Sequence, residues 1–174
     1  MVSALLFMLL ADSIPIHTTV ADSSRIAFTV QTPLYWEEVV YDSLGFIRFT
    51  DLTVMDSIGY PELPMITCLV ALPDSVNPYL EYAFTDMRDQ FVDPVYPAPA
   101  QVLSYERTPA FVDSFVQDST AYASDDFWPG ENVRIIGETR ICDQRVMQVQ
   151  LFPAQYRASD STLRTVSTLS VSIS

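Results

Sequence analysis

The chain is built from short runs in which apolar and polar residues alternate, and no long segment shows the 3.6-residue repeat of an amphipathic helix. In Arg25 to Gln31, RIAFTVQ, the apolar residues Ile26, Phe28 and Val30 fall on one side. A β-strand turns successive side chains to opposite faces of a sheet, so this spacing buries one face. Further strands are predicted at 35–41, 46–54, 65–72, 79–85, 110–116, 133–141, 145–152 and 163–174. Many short strands with polar turns predict an all-β fold, an antiparallel β-sandwich or jelly-roll-like single domain.

Two segments depart from this pattern. Residues 86–101 contain Pro94, Pro97 and Pro99, which favours an exposed, extended connector without a strand ladder of its own. Residues 118–126 are the one place where a short helix is considered, although Ser, Thr and Asp make the signal weak. Asp143-Gln144 is predicted to form a tight hairpin turn.

Prolines flank the most apolar run, in the stretch GYPELPMITCLVALP at 59–73. Pro61 and Pro64 precede this run and Pro73 follows it. Proline lacks an N–H and pushes the preceding residue into an extended conformation, so it suits the ends of a strand better than its interior. The stretch therefore predicts a strand with defined ends that buries one set of alternating side chains: Ile66, Cys68, Val70 and Leu72.

The charge of the chain is strongly acidic, with 22 acidic and 9 basic residues and a net charge of −13. Such a charge opposes phosphate backbones, so nucleic acid is not expected as a partner. This negative charge is consistent with a partner that has a cationic surface, and equally with an acidic exterior that only contacts solvent. Apolar residues make up 49% of the 174 residues, enough for one domain with a sizeable core.

The amino terminus has the pattern of an export signal. An apolar run, Ala4 to Leu10, is followed by small and polar residues, although no basic residue precedes it. We predict a signal peptide at 1–13, a leader at 14–24 and the folded domain at 25–174; a buried first strand is the alternative to the signal. No run reaches the roughly 18 to 20 apolar residues of a membrane helix. The predicted location is secreted, periplasmic or at the cell surface, without a membrane span.

The two cysteines, Cys68 and Cys142, both lie in strand-like runs. In an exported chain they could form a disulfide, and two free thiols are the alternative. Two distant cysteines and a single histidine, His17, do not supply a zinc ligand set, so no metal and no cofactor are expected.

Nothing in the chain indicates catalysis. His17 lies near the predicted leader, where it is a poor candidate for the base of a Cys–His pair. The four glycines, at 45, 59, 130 and 137, are scattered and form no phosphate-binding loop. The chain is expected not to be an enzyme.

Several motifs follow one another in a defined order. They are GYPELP at 59–64, Leu72-Pro73, Tyr122, Phe127-Trp128-Pro129, Arg140, and LFPAQY at 151–156 before the last alternating strand. Their order and spacing over 25–174 resemble the propeptide of gingipain-type cysteine peptidases. The motif residues that carry this resemblance are Gly59, Pro61, Leu63, Pro64, Pro73, Pro129, Pro153 and Tyr156.

The resemblance implies a β-sandwich prodomain of a secreted bacterial peptidase. Such a prodomain assists folding of the catalytic domain and blocks its active site until proteolysis removes it. It is expected to be a monomer with the peptidase as its partner. It implies a basic side chain inserted into the specificity pocket. No motif marks that residue; an exposed, extended segment makes Arg88 the first candidate, and Arg107 the second. The catalytic domain is expected to follow Ser174.

A function of another class stays open at this point. Exposed aromatic side chains on a secreted β-sandwich could bind carbohydrate or another surface. The candidates for this role are Tyr35, Trp36, Tyr96 and Trp128, and packing in the core is the competing interpretation.

Overall fold

A computed structural model describes residues 16–21, 25–32, 36–41, 43–49, 52–72, 77–105 and 110–174. Its strands are β1 (Ile16–Ala21), β2 (Ile26–Gln31), β3 (Trp36–Tyr41), β4 (Leu44–Phe49), β5 (Thr53–Val54), β6 (Pro64–Leu72), β7 (Leu80–Thr85), β8 (Arg88–Phe91), β9 (Ala100–Ser104), β10 (Ala110–Ser114), β11 (Val133–Ile141), β12 (Gln144–Leu151), β13 (Ala154–Arg157), β14 (Thr162–Thr165) and β15 (Thr168–Ile173). One helical turn, α1 (Ser119–Tyr122), precedes β11.

Two four-stranded antiparallel sheets enclose the main core. The first has the order β1-β2-β15-β7 and the second has the order β11-β12-β6-β5. Alternate residues of each strand point between the sheets, as the 2-residue period requires. The buried side chains of this core include Phe28, Val30, Val70, Met147, Val149, Leu169 and Val171. The all-β antiparallel sandwich predicted from the alternation is confirmed.

A second core lies beneath the smaller sheets. The order β13-β14-β8 forms a three-stranded sheet, and β3 pairs with β4. Side chains from these strands and from the segment before β6 are buried together, among them Ile47, Leu63, Val95, Phe152, Tyr156 and Leu163. The proline-flanked motif thus contributes to both cores, with Leu63 in the second and Ile66 in the first.

Most predicted strands are found close to their predicted bounds. The run 133–141 coincides with β11, and the run 65–72 is β6. The tight hairpin is confirmed, but its turn is Cys142-Asp143 and not Asp143-Gln144, because Ile141 is opposite Gln144, the first residue of β12. The weak helix signal at 118–126 corresponds to α1, which begins where the Asp118 side chain accepts from two backbone N–H groups.

Three predictions are wrong in part. The run 46–54 is two strands, because β4 ends at Phe49 and pairs with β3, whereas β5 begins at Thr53 and pairs with β6. The connector 86–101 contains the strand β8, because β14 supplies it with a full register from Arg88 opposite Thr165 to Phe91 opposite Thr162. The closing run 163–174 is two strands, since β14 belongs to the three-stranded sheet and β15 to the first large sheet. The chain changes sheets between them, and a continuous alternation does not reveal that change.

The amino-terminal predictions fall partly outside the described residues. The proposed signal, 1–13, lies outside them, while β1 lies inside the predicted leader at 14–24. Its register with β2 runs from Ile16 opposite Val30 to Ala21 opposite Ile26. Residues Ile16–Ala21 are therefore part of the first sheet.

The cysteines are free thiols, which replaces the disulfide interpretation. Cys68 is opposite Val149 on β12, whereas Cys142 lies in the turn before Gln144, beyond the pair Leu72 and Arg145. Four residues of extended strand span about 13 Å, well above the roughly 7 Å between Cα atoms that a disulfide tolerates. Burial raises the pKa of the Cys68 thiol to about 12, so this thiol stays protonated.

Candidate docking surface

The proline-flanked motif forms backbone hydrogen bonds through residues on both sides of Pro61. The N–H of Gly59 donates to Ala98 at 2.9 Å, the N–H of Ala98 donates to Tyr60 at 2.8 Å, and the N–H of Glu62 donates to Tyr96 at 2.9 Å. The motif therefore pairs with the proline-rich segment that leads to β9. Because the N–H groups of Gly59 and Glu62 donate on either side of Pro61, the missing N–H of Pro61 does not interrupt this pairing.

Glu62 adds a side-chain contact to this pairing. It is buried, with 8% of its surface exposed, and its carboxylate pairs with Arg48 at 3.2 Å. The Arg48 guanidinium also lies 5.2 Å from the centre of the Phe46 ring, and Phe46 stacks on Tyr96. The Glu62 carboxylate thus connects the motif to β4, and Phe46 of β4 contacts the proline-rich segment at Tyr96.

Gly59 adopts a conformation that an L side chain rarely takes, with φ of +83°. A Cβ at this position would lie 3.1 Å from the backbone nitrogen of Asp118, whose N–H donates to the Gly59 carbonyl at 3.0 Å. The Asp118 carboxylate then caps α1 by accepting from Thr120 and Ala121 at 2.8 and 3.0 Å. The glycine therefore permits the close approach of α1 to the motif.

Gly59→Ala is expected to lower the free energy of unfolding by about 1–2 kcal/mol, because alanine is strained at this φ and its Cβ crowds Asp118. Chemical unfolding of both proteins measures the difference. Gly137→Ala is the matched control, since nothing lies within 4 Å of its Cβ position and its φ is not positive. Equal losses for the two variants would contradict this role of Gly59.

The motif residues near the carboxyl end also meet. The backbone of Trp128 exchanges hydrogen bonds with Tyr156 at 2.8 and 2.7 Å, and the buried Gln155 side chain donates to the Pro129 carbonyl at 2.7 Å. The Pro153 carbonyl accepts from the N–H of Val166 at 3.0 Å. Pro129, Pro153 and Tyr156 thus have structural roles, while Pro73 lies outside the described residues.

The aromatic residues considered for surface binding are engaged with other rings. Tyr60 and Trp128 lie 4.4 Å apart between ring centres, and Tyr96 contacts Phe46 at 4.4 Å and Phe115 at 5.6 Å. Both Tyr96 and Trp128 are half-buried. Tyr35 and the side chain of Trp36 lie outside what the structure describes.

Exposed large apolar side chains are concentrated in one part of the sequence. Among the residues that the structure describes there are sixteen such side chains; twelve lie between 79 and 116, and the other four are Ile58, Ile135, Ile136 and Ile141. The twelve are Tyr79, Tyr82, Phe84, Met87, Phe91, Val102, Leu103, Tyr105, Phe111, Val112, Phe115 and Val116. Extensive exposed apolar surface marks sites of protein interaction. The segment 79–116 is therefore the candidate docking surface.

The hairpin formed by β9 and β10 is the most exposed element of this surface. Among the described strands, these two pair only with each other. Cross-strand partners share a face, so Val102 and Val112 lie on one side and Leu103 and Phe111 on the other. All four side chains are between 40 and 71% exposed. A lone two-stranded hairpin is only marginally stable in water, and this one has apolar side chains on both faces.

The two predicted arginines occupy different positions. Arg88 begins β8, where it is exposed and lies opposite Thr165 of β14. Arg107 lies outside the described residues; it is the middle one of the five residues, 105–109, that connect β9 with β10. In the sequence, the two arginines therefore belong to different segments, one to β8 and the other to the connection between β9 and β10.

A cluster of ion pairs stabilises the base of β8. Two guanidinium groups contact the Phe127 ring, that of Arg157 at 4.7 Å and that of Arg164 at 3.8 Å from the ring centre. Arg164 pairs with Asp89 through two bonds of 2.8 Å, which lowers the pKa of that carboxyl. Arg157 pairs in the same way with Asp160 and lowers its pKa to about 2. Both carboxylates are ionised at neutral pH, and the Asp89–Arg164 pair adds a side-chain contact to the backbone pairing of β8 with β14.

No catalytic arrangement was found in the part of the chain that the structure covers. Its His, Cys, Asp and Glu side chains form no group of three or more able to hold a metal ion. His17 is exposed on β1, far along the sequence from the buried Cys68. None of the described helices is long and apolar enough to cross a membrane.

The chain resembles known proteins at the level of family and fold. The family Propeptide_C25 matches residues 17–174. The pro- and mature domains of RgpB from Porphyromonas gingivalis, solved as a complex, give a TM-score of 0.75 at 20% identity, over 91% of this chain and 84% of that one. A structure on zymogenic latency of gingipain K from the same organism gives 0.70 at 18% identity, over 99% and 98%. No curated protein sequence matches.

The family match covers nearly all of the described residues and includes every motif on which the resemblance was based. The resemblance to gingipain propeptides is thereby confirmed, and the solved structures share the antiparallel sandwich. This chain belongs to the Propeptide_C25 family and is a non-catalytic propeptide of a gingipain-type peptidase.

Proposed function

We propose that this propeptide inhibits the peptidase with which it is synthesised, assists the folding of that peptidase, and is then removed by proteolysis. Membership of the propeptide family supports a peptidase as the partner. The observation that carries the inhibitory role is the hairpin of β9 and β10, which exposes apolar side chains on both faces. A hairpin of this kind gains stability when a partner covers it.

The same observation favours one of the two arginines as the residue that enters the specificity pocket. Arg88 belongs to a strand with a full register against β14, whereas Arg107 lies in the middle of the connection between the two exposed strands. A residue in a paired strand is held against its neighbour, so a residue between strands is the better candidate to enter a cleft. We therefore place Arg107 ahead of Arg88, which reverses the order predicted from the sequence.

Arg107→Ala is expected to raise the inhibition constant about 10-fold or more, because a charge-assisted bidentate pair with an acidic pocket would be lost. Arg88→Ala is expected to change it less than about twofold, as for a solvated arginine. The measurement is residual activity of the mature peptidase encoded in the same reading frame, titrated with each purified propeptide. An effect of Arg88→Ala alone would restore the original order, and no inhibition by the unmodified propeptide at micromolar concentration would refute the inhibitory role.

The proposed place of action is outside the cytoplasm. The apolar run Ala4 to Leu10 fits an export signal, and gingipain-type propeptides belong to secreted or cell-surface peptidases. The two free cysteines do not argue for either redox compartment, since one is buried and the other has no partner within reach. We propose export of a bacterial precursor with residues 1–13 as its signal.

A further inference from the structure

The edges of the two large sheets differ in how they are protected against pairing with another strand. The edge strand β1 has an irregular register between Thr18 and Val20, and β11 has one between Ile135 and Gly137. The edge strand β5 is only two residues long. Bulges and short strands are features that block edge-to-edge pairing. The fourth edge, β7, has none of them: its six residues pair with β15 without interruption and include no proline.

The backbone of β7 offers a regular set of unpaired groups. Tyr79 and Ser174 exchange two hydrogen bonds, at 2.9 and 3.1 Å, which makes them a hydrogen-bonded pair of the antiparallel ladder. Hydrogen-bonded and non-hydrogen-bonded residue pairs alternate along an antiparallel ladder, so Glu81, Ala83 and Thr85 also form backbone hydrogen bonds with β15. The N–H and C=O groups of the residues between them therefore point away from β15; these residues are Leu80, Tyr82 and Phe84. Among the described strands β7 pairs with β15 alone.

The side chains of β7 that face the main core are themselves partly exposed. Leu80 packs against that core, and Tyr82 and Phe84 point to the same side because they alternate with it. Tyr82 and Phe84 are 40 and 41% exposed, whereas their partners on β15, Val171 and Leu169, are 2 and 0% exposed. An added strand would thus gain both a hydrogen-bond ladder and two aromatic contacts.

We propose that an extended segment of the peptidase domain pairs with the free edge of β7 and extends the first sheet by one strand, as in β-strand addition. This proposal rests on the proposed inhibitory function. The exposed acidic side chains beside this edge, Glu81 and Asp86, favour a segment that carries basic as well as apolar residues. A second copy is a poorer fit, because each copy has a net charge of −13 and two six-residue strands bury far less than a stable interface of about 1,000 Å².

Amide exchange resolved at single residues tests this pairing on the unmodified propeptide, free and bound to the mature peptidase of the same reading frame. The amides of Leu80, Tyr82 and Phe84 are expected to exchange rapidly in the free propeptide and to slow by about 100-fold or more in the complex, because they gain partners. The amides of Glu81, Ala83 and Thr85 are slow in both states. Rapid exchange at Leu80, Tyr82 and Phe84 in the complex overturns the proposal.

A pair of variants tests the aromatic contacts. Tyr82→Ser with Phe84→Ser is expected to raise the inhibition constant about 10- to 100-fold, since two partly exposed aromatic residues at an interface are lost. His17→Ser, at the exposed opposite edge of the same sheet, is the control and is expected to leave it unchanged. An unchanged constant for the double variant overturns the proposal, while absence of inhibition by the unmodified propeptide refutes the proposed function instead.

Two other occupants would be visible in the same exchange experiment. Protection of Leu80, Tyr82 and Phe84 in the free propeptide that increases with its concentration would assign the edge to a second copy. Protection at every concentration that disappears when residues 1–15 are removed would assign it to the amino-terminal segment of the chain. Either result overturns the assignment to the peptidase.

Discussion

Phe152→Ala is expected to lower the free energy of unfolding by about 3–5 kcal/mol, since truncation of a buried phenylalanine loses transfer free energy and leaves a cavity. Phe152 is 0% exposed in the second core, and its ring also lies 5.3 Å from the Arg134 guanidinium. Its backbone bonds to Asn132, at 2.8 and 2.9 Å, do not depend on the side chain. Domains of this size have a total stability of about 5–15 kcal/mol, so this single change removes a large part of it.

The measurement is chemical unfolding followed by tryptophan fluorescence, with midpoint and slope compared between proteins. Phe91→Ala is the matched control, because the Phe91 ring is 78% exposed and its removal leaves no cavity. A loss below about 0.5 kcal/mol is expected for the control. Similar losses for both variants would show that the segment Phe152-Pro153 does not anchor the second core.

The sequence predicts the sandwich well because the two large sheets have one buried and one solvated face. Phe28 on β2 and Val149 on β12 follow strict alternation, and both are buried. The same alternation fails at the third sheet. β8 was missed because its four residues, Arg88–Phe91, are all exposed, so no apolar periodicity marks them. β13 was missed because Ala154–Arg157 is short, and its first three residues are all buried.

The candidate docking surface was less predictable than the fold. The sequence predicts a strand at 110–116 but none at β9, of which only the first two residues fall in the predicted connector, so the hairpin and its two apolar faces are not predicted. Exposure of residues such as Phe111 depends on the absence of a covering element, which a local pattern does not encode. The order of the proline motifs was informative because Gly59 and Tyr156 fix long-range pairings, with Ala98 and Trp128 respectively.

Leu103→Ser with Phe111→Ser is expected to weaken inhibition of the mature peptidase by about 100-fold, because buried apolar anchors dominate the free energy of binding at protein interfaces. These side chains face each other across the hairpin and are 40 and 71% exposed. Their replacement removes little that is buried in the free propeptide, so its thermal stability should be nearly unchanged. The inhibition constant is the measured quantity, with the unfolding midpoint of each variant as a check on folding.

The other face of the hairpin makes the prediction more specific. Val102→Ser with Val112→Ser changes only the opposite side, where the two valines are 47 and 45% exposed. A loss of inhibition with both pairs would mean that the hairpin enters a cleft that covers it from two sides. Ile135→Ser with Ile141→Ser on β11 is the control, because these side chains are similarly exposed, at 37 and 46%, but lie outside the segment 79–116. If the β11 pair weakened inhibition as much as the hairpin pairs, the docking surface would be wrongly placed, since exposed apolar area alone would then account for the result.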